Sequence, residues 1–229
     1  MESVMESTDD SDQPLGPNAP SLLATEHWSL IAARSLIWSE AQSRATVFLT
    51  VLSAAGVAVA LVANNSGFGS QTTAVALTLL PVVFLLGVAA YVRLVQINAE
   101  EFLLVLAMNR LRRAYVTLEP GVERYLSSGT HDDERGLFVT YMMDRPTGRS
   151  LQIFLLVNTP TVIATIDSAL AAAMVVLGAH AADAPVAAGA VGAAAAFAVV
   201  WAALFLIQVH TLRPLRERSP RFPTPPDQL

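Results

Sequence analysis

Two parts of the sequence have side chains that could do chemistry. The first is the stretch SGTHDDERG at residues 128–136, where a histidine, three acids and an arginine follow one another. Imidazoles and carboxylates bind divalent metals, and they transfer protons in general acid–base catalysis. The second is Asp167, which lies inside a long apolar stretch. An ionisable residue at such a depth is costly in a membrane and indicates a functional site by default.

The stretch SGTHDDERG also fits the start of a helix. Thr130 is followed three residues later by Asp133, the capping pattern [ST]-x-x-[DE], and acids in a first turn suit the helix dipole. Adjacent helical side chains point about 100° apart, so four of them cannot converge on one ion. A metal site would need further ligands from Glu100, Glu101 or another chain. Capping is the preferred interpretation, and the alternative is a cytoplasmic site made of His131, Asp132, Asp133 and Glu134.

The composition indicates a membrane protein. Hydrophobic residues make up 53% of the 229 residues and charged residues only 14%, whereas soluble domains have about 25% charged residues. A span needs about 20 apolar residues, and four stretches reach that length: 45–63, 74–92, 153–177 and 186–209. The absence of cysteine excludes disulfides, thiolate metal sites and cysteine nucleophiles.

The arginines predict the orientation of these spans. All fourteen basic residues are arginines, and the short loops 64–73 and 178–185 contain none. The positive-inside rule then places the other connecting regions and both termini in the cytoplasm. Such a topology needs an even number of crossings, which supports the third span although polar residues interrupt it. We therefore expect an all-α protein with four transmembrane helices in two hairpins, embedded in the lipid bilayer of a bacterial inner membrane.

The same patterns divide the chain into segments. Ser21 is the expected N-cap of the first cytoplasmic helix, and the second span is expected to continue as a helix to Val116 because no glycine or proline interrupts it. The segments are a disordered acidic tail (1–19), a juxtamembrane amphipathic helix (20–43), a transmembrane hairpin (44–98), a cytoplasmic helical segment (99–150), a second transmembrane hairpin (151–209) and a cytoplasmic tail (210–229).

Asp167 has two interpretations. It points about 180° away from a polar stripe on the third span, and Pro160 is expected to kink that span near its inner end. In the functional interpretation Asp167 binds a cation or relays protons. In the structural one it is protonated or hydrogen-bonded, and the stripe joins neighbouring helices. The polar stripe consists of Asn158, Thr161, Thr165 and Ser168.

Small residues favour a role in assembly. They permit close helix approach in membranes. The first span carries Thr46, Thr50, Ser53 and Ala60 on one face, and the fourth span carries Gly189, Gly192, Ala193 and Ala196.

No nucleotide-binding loop or hydrolase motif is present, and no basic stripe with aromatic residues points to nucleic acid. We expect a non-enzymatic membrane protein without a cofactor, which forms a homo-oligomer or holds a partner membrane protein. The alternatives are a small channel or ion-coupled transporter that uses Asp167 and, third, a cytoplasmic metal site around His131.

The run LLATEHWSLIAARSLIWSEAQSRATVFLTVLSAAGVAVALVA, with NRLRRAY and THDDERG after it, resembles a group of bacterial four-span membrane proteins with no assigned activity. The resemblance covers most of the chain and implies a fold and a location, but no function. The order of helix, membrane hairpin and long cytosolic helix also resembles the two-helix membrane effector modules of bacterial nucleotide-signalling defence systems. The second hairpin is a departure from those modules.

Overall fold

The computed structural model of the protein describes residues 15–67, 69–141 and 158–225. This part of the chain is helical, without a β-strand. Four of its helices are long and apolar enough to cross a membrane, which confirms the prediction of an all-α fold with four such helices. The elements in chain order are α1 (Ala19–Ser66), α2 (Ser70–Leu118), a 3-10 turn (Pro120–Tyr125), α3 (Glu134–Thr140), α4 (Thr159–Ala181) and α5 (Val186–Arg216).

Helix α1 joins the predicted juxtamembrane helix to the first span without a break. It begins at Ala19 with Pro20 in its first turn, a position that suits the fixed φ of proline. The prediction that Ser21 is the N-cap is wrong, because Ser21 lies inside the helix and its carbonyl accepts the Thr25 hydroxyl. Gly67 ends the helix at φ 69° and ψ −176°, a backbone region open almost only to glycine.

Helix α2 is one helix of 49 residues. At 1.5 Å per residue it is about 74 Å long, more than twice the thickness of a hydrocarbon core of about 30 Å. The prediction that the second span continues as a helix beyond residue 92 is confirmed. Helix α1 folds back along α2 through the short turn at Gly67, so the two form a long antiparallel hairpin.

Charged residues join α1 to α2 where the hairpin extends past its apolar stretch. Arg93 donates to both carboxylate oxygens of Glu40, at 2.8 and 2.9 Å, and to Glu100 at 2.7 Å. Arg34 and the indole of Trp38 both donate to Glu101, at 2.9 and 3.3 Å. We call this end of the molecule the basal layer: it comprises residues 19–44 of α1, 93–118 of α2, 119–141 and 210–225.

Helix α4 packs between α2 and α5 and completes the bundle. Asn158 is its N-cap and accepts the Thr161 backbone N–H at 3.0 Å. Pro160 lies in the first turn of α4, a position where proline fits without bending the helix, so the predicted kink within the span is wrong for the helix that the structure describes; residues 153–157 of the predicted third span lie outside the described residues. The shared core includes Phe48, Val83, Tyr91, Leu94, Ile163, Ala164, Leu170 and Leu204.

The ion pair between Glu40 and Arg93 gives a pH-dependent test of the α1–α2 contact. Hydrogen bonds from Arg93 and then from Arg44 lower the pKa of Glu40 from 4.5 to about 2. A lowered pKa means that the carboxylate stabilises the fold above pH 4.5 and loses that contribution as the pH falls towards 2. We expect Glu40→Gln to lower the thermal midpoint in detergent at pH 7, and the difference from wild type to disappear in that acid range.

The control is Glu217→Gln, because Glu217 forms an exposed pair with Arg213 one turn away and such pairs contribute little. A difference between wild type and Glu40→Gln that stays constant from pH 7 to acid would contradict the assignment.

Candidate functional site

The stretch at residues 128–136 starts a helix, as predicted, but with a different cap. Asp133 is the N-cap of α3 and accepts the Gly136 backbone N–H at 2.7 Å. The prediction that Thr130 caps the helix is wrong, because the chain is not yet helical at residues 130–133 and the free N–H groups face Asp133. Glu134 lies in the first turn of α3.

Asp132 and Asp133 bind the C-terminal tail, and we call this pair the tail clamp. The two oxygens of Asp132 accept the backbone N–H groups of Phe222, at 2.7 Å, and Arg221, at 3.1 Å. The guanidinium of Arg110 also donates to Asp132. Asp133 accepts the Thr224 backbone N–H at 2.6 Å. Two adjacent carboxylates thus join α2, α3 and the tail.

The tail clamp keeps both aspartates acidic. Burial alone would raise the pKa of Asp132, but the hydrogen bonds from Arg110, Phe222 and Arg221 outweigh it and lower that pKa. The pKa of Asp133 is lowered in the same way, with burial opposed by hydrogen bonds from Gly136 and Thr224. The clamp therefore works as a pair of ionised acceptors for backbone N–H groups.

His131 contributes its backbone to this arrangement. Its carbonyl accepts the side-chain amide of Asn109 at 2.9 Å, which docks the stretch on α2. Glu100 and Glu101, the acids that a metal site would have needed, are bound by Arg93 and Arg34. Within the residues that the structure describes, no three histidine, aspartate or glutamate side chains come together to hold a metal ion.

A cavity of about 670 Å³ lies beside the tail clamp in the basal layer. Its apolar lining comes from α2, α3 and the end of α5, and includes Phe102, Leu106, Leu137 and Leu212. Three arginines and four acids among the described lining residues nearly balance in charge, so charge selects neither an anionic nor a cationic ligand. They are Arg110, Arg213, Arg218, Asp132, Asp133, Glu134 and Glu217.

Asp167 lies at the centre of the bundle. It is 0% exposed, and neither carboxylate oxygen has a hydrogen-bond partner among the described residues. The carboxyl lies against the backbone of α2 at Gly87, where an added Cβ would collide with Oδ1. Ser168 is also 0% exposed, but its hydroxyl donates to the Ala164 carbonyl at 2.7 Å.

The predicted polar stripe does not act as one surface. Thr161 Oγ1 donates to Asn158 Oδ1 at 2.9 Å and lies 3.4 Å from Gln208 Oε1. Thr165 is exposed and accepts the indole N–H of Trp201 at 3.3 Å. The stripe therefore divides into a buried part and an exposed part.

Two buried polar residues near the stripe were missed in the sequence. The Tyr91 hydroxyl donates to the Leu204 carbonyl at 2.6 Å and lies 3.4 Å from Gln208 Oε1. Both side chains are almost fully buried. Gln208 is the one side-chain amide in the apolar stretch of α5, and that isolation was the available signal.

The small-residue face of the fourth span packs inside its own hairpin. A Cβ added at Gly189 would lie 3.3 Å from Cβ of Ala179, and one added at Gly192 would lie 3.1 Å from Cγ1 of Val175. Ala193 and Ala196 are half-buried on α5. Gly189 and Gly192 thus allow α5 to approach α4, whereas the small residues of α1 are exposed among the residues that the structure describes.

No protein-family model, curated protein or solved structure matches the chain. Its function is therefore argued from its own residues.

The tail clamp predicts how the C-terminus responds to protease. Asp132→Asn keeps the size of the side chain but places an amide against the Arg110 guanidinium and the tail N–H groups. Hydrogen bonds to charged groups contribute about 1.5–3 kcal/mol each, so we expect trypsin to cleave after Arg221 about tenfold faster or more. The measurement is the rate at which the peptide 222–229 appears by mass spectrometry in detergent.

The matched control is Glu123→Gln, an acid that is exposed on the 3-10 turn. Equal cleavage rates in wild type, Asp132→Asn and the control would show that Asp132 does not hold the tail.

The contact between Gly87 and Asp167 predicts a coupled pair. Gly87→Ala forces the carboxyl or the helices to move, and such overpacking costs about 1–3 kcal/mol. In an Asp167→Ala background the space is free, so we expect most of that cost to disappear. Thermal midpoints of the two single variants and the double variant give the coupling energy.

Gly56→Ala is the control, because no atom lies within 4 Å of a Cβ added there. Additive effects of Gly87→Ala and Asp167→Ala would mean that the two residues do not touch.

Proposed function

We propose that the protein is a non-enzymatic component of a bacterial cytoplasmic membrane that self-associates through the outer face of α1, with its basal layer in the cytoplasm. The orientation is supported by the arginines, none of which lies in the loops 64–73 and 178–185 at the other end of the hairpins. The self-association is supported by one feature of α1, a continuous face of exposed residues, most of them small.

This face follows a regular spacing along α1. Residues at alternating steps of four and three, the heptad spacing of helices that pack along their length, are all exposed. They lie on the side of α1 away from its core residues Phe48 and Ala55, and Leu36, Ser39 and Ser43 also border a groove against α2. We call them the α1 seam: Thr25, Ser29, Ala32, Leu36, Ser39, Ser43, Thr46, Thr50, Ser53, Val57 and Ala60.

The length of the α1 seam supports a second copy of the chain as its partner. Its 35 residue steps cover about 53 Å, whereas a hydrocarbon core is about 30 Å thick. Lipid can cover the half within the bilayer and a soluble protein the half outside it, but neither can cover both. A second copy of α1 enters the membrane at the same depth, so it matches the seam over its whole length.

The two halves of the α1 seam contribute differently. Within the bilayer, small side chains allow the backbones to approach, and the hydroxyls of Thr50 and Ser53 already donate to their own helix. Outside it, Trp28 and Leu36 on the same side of α1 are 72% and 73% exposed. Exposed apolar side chains of this size stabilise an interface when a partner covers them.

Two copies in one membrane are related by a two-fold axis along the membrane normal, so each seam residue meets its own counterpart. Cysteines there would come within disulfide distance, with Cβ atoms about 4 Å apart. The native chain has no cysteine, so single-cysteine variants give a clean readout. We expect Ser39→Cys, Ser43→Cys and Thr50→Cys to form disulfide-linked dimers on mild oxidation in native membranes.

Val191→Cys is the matched control, because Val191 is 70% exposed on α5 and lies outside the α1 seam. Thr46→Trp in the Ser43→Cys background should abolish the cross-link by separating the backbones. The proposal would be wrong if the seam cysteines formed no cross-link, or if Val191→Cys cross-linked as strongly as they do. A cross-link from the seam to a different polypeptide would replace self-association with partner binding.

A further inference from the structure

We propose that Asp167 is a proton-binding site inside the bundle, and that it exchanges its proton with water at the basal end through a buried column of polar side chains. The column consists of Asn158, Thr161, Gln208 and Tyr91. This site does not depend on self-association, because every residue in it belongs to one chain.

The first observation is the isolation of Asp167. It is wholly buried, and both oxygens lack a hydrogen-bond partner among the described residues. An unpaired carboxylate in an apolar interior is very costly, so the closed packing requires the neutral acid. The protein therefore contains one carboxyl that must hold a proton in this arrangement of helices.

The second observation is the absence of competing charges around Asp167. The segment 45–66 of α1 and the segment 186–209 of α5 contain no ionisable residue, and on α2 between residues 70 and 92 the one such residue is Tyr91. On α4 itself the other ionisable residue is His180, near the opposite end. Among the described residues no two further acidic or histidine side chains join Asp167 to hold a metal cation. A proton is the cation that a single carboxyl can bind.

The third observation is the polar column, which starts at the basal end of α4. Asn158 is partly exposed there and accepts Thr161 Oγ1 at 2.9 Å. Gln208 Oε1 lies 3.4 Å from both Thr161 Oγ1 and the Tyr91 hydroxyl. The column thus leads from the surface into the core through side chains that are buried at its inner end.

The column and the acid both meet α2, at positions one helical turn apart. Tyr91 and Gly87 are four residues apart on α2, so they lie about 6 Å apart on one face, and Asp167 touches Gly87. We infer that water entering when α4 moves away from α2 connects the Tyr91 hydroxyl with the carboxyl. The exchange then balances: the Asp167 proton passes to water, and hydronium returns a proton to the carboxylate.

Infrared spectroscopy of the full chain in lipid tests this proposal. The protonated carboxyl of Asp167 should give a C=O band that Asp167→Asn removes and that shifts within minutes after transfer to D2O. Tyr91→Phe and Gln208→Leu should each slow that shift by about tenfold or more, because they interrupt the column. Thr165→Val should leave the rate unchanged, since Thr165 bonds to Trp201 outside the column.

Each other outcome overturns the proposal. If no band disappears in Asp167→Asn, the residue does not hold a proton. A band that fails to shift over a day identifies an inert structural acid. If Thr165→Val slows exchange as much as Tyr91→Phe does, the proton takes another route. Tyr91→Phe removes a single oxygen atom, so it keeps the test valid should Gln208→Leu fail to fold.

Discussion

The structure depends on α2 being a single helix that is longer than the membrane is thick. Backbone polar groups inside a bilayer must bond within their own helix, and α2 stays helical over 49 residues although Pro81 removes one of its backbone hydrogen bonds. Its apolar part carries contacts with α1 and α4. Its extension carries Arg93 and Glu101, which pair with Glu40 and Arg34 of α1. The basal layer is therefore assembled on the same helix as the bundle.

The helices themselves could be predicted from the sequence because hydropathy and helix-breaking residues act locally. The continuation of α2 into the basal layer followed from the lack of glycine and proline after residue 92. The residues at which the helices begin and end were harder to predict. Pro160 looks like a kink from its place in the sequence, but Asn158 accepts the Thr161 N–H as the N-cap of α4 and so places Pro160 in the first turn. A cap depends on which backbone groups are free, and the pattern alone does not fix that.

The tail clamp could not be predicted for a different reason. The sequence showed that residues 128–136 favour a helix start, and α3 does start there. However, Asp132 binds the backbone of Phe222, 90 residues further along the chain. A backbone N–H has no residue type, so no motif in the tail could reveal this partner. Gln208 and Tyr91 were missed similarly, because their roles arise only where α2, α4 and α5 meet.

The bonding of the groups near Asp167 argues against a purely structural acid. A carboxyl that only joins helices would be expected to accept from the nearest hydroxyls, since an unsatisfied buried group costs about 1–3 kcal/mol. Instead the Tyr91 hydroxyl donates to the Leu204 carbonyl, and the Ser168 hydroxyl donates to the Ala164 carbonyl. Because Gly87 has no side chain, the Asp167 carboxyl occupies the space that a Cβ atom would fill at that position. A carboxyl with no donor to hold its charged form stays neutral while the helices are closed, and it can release its proton when they separate and water reaches it.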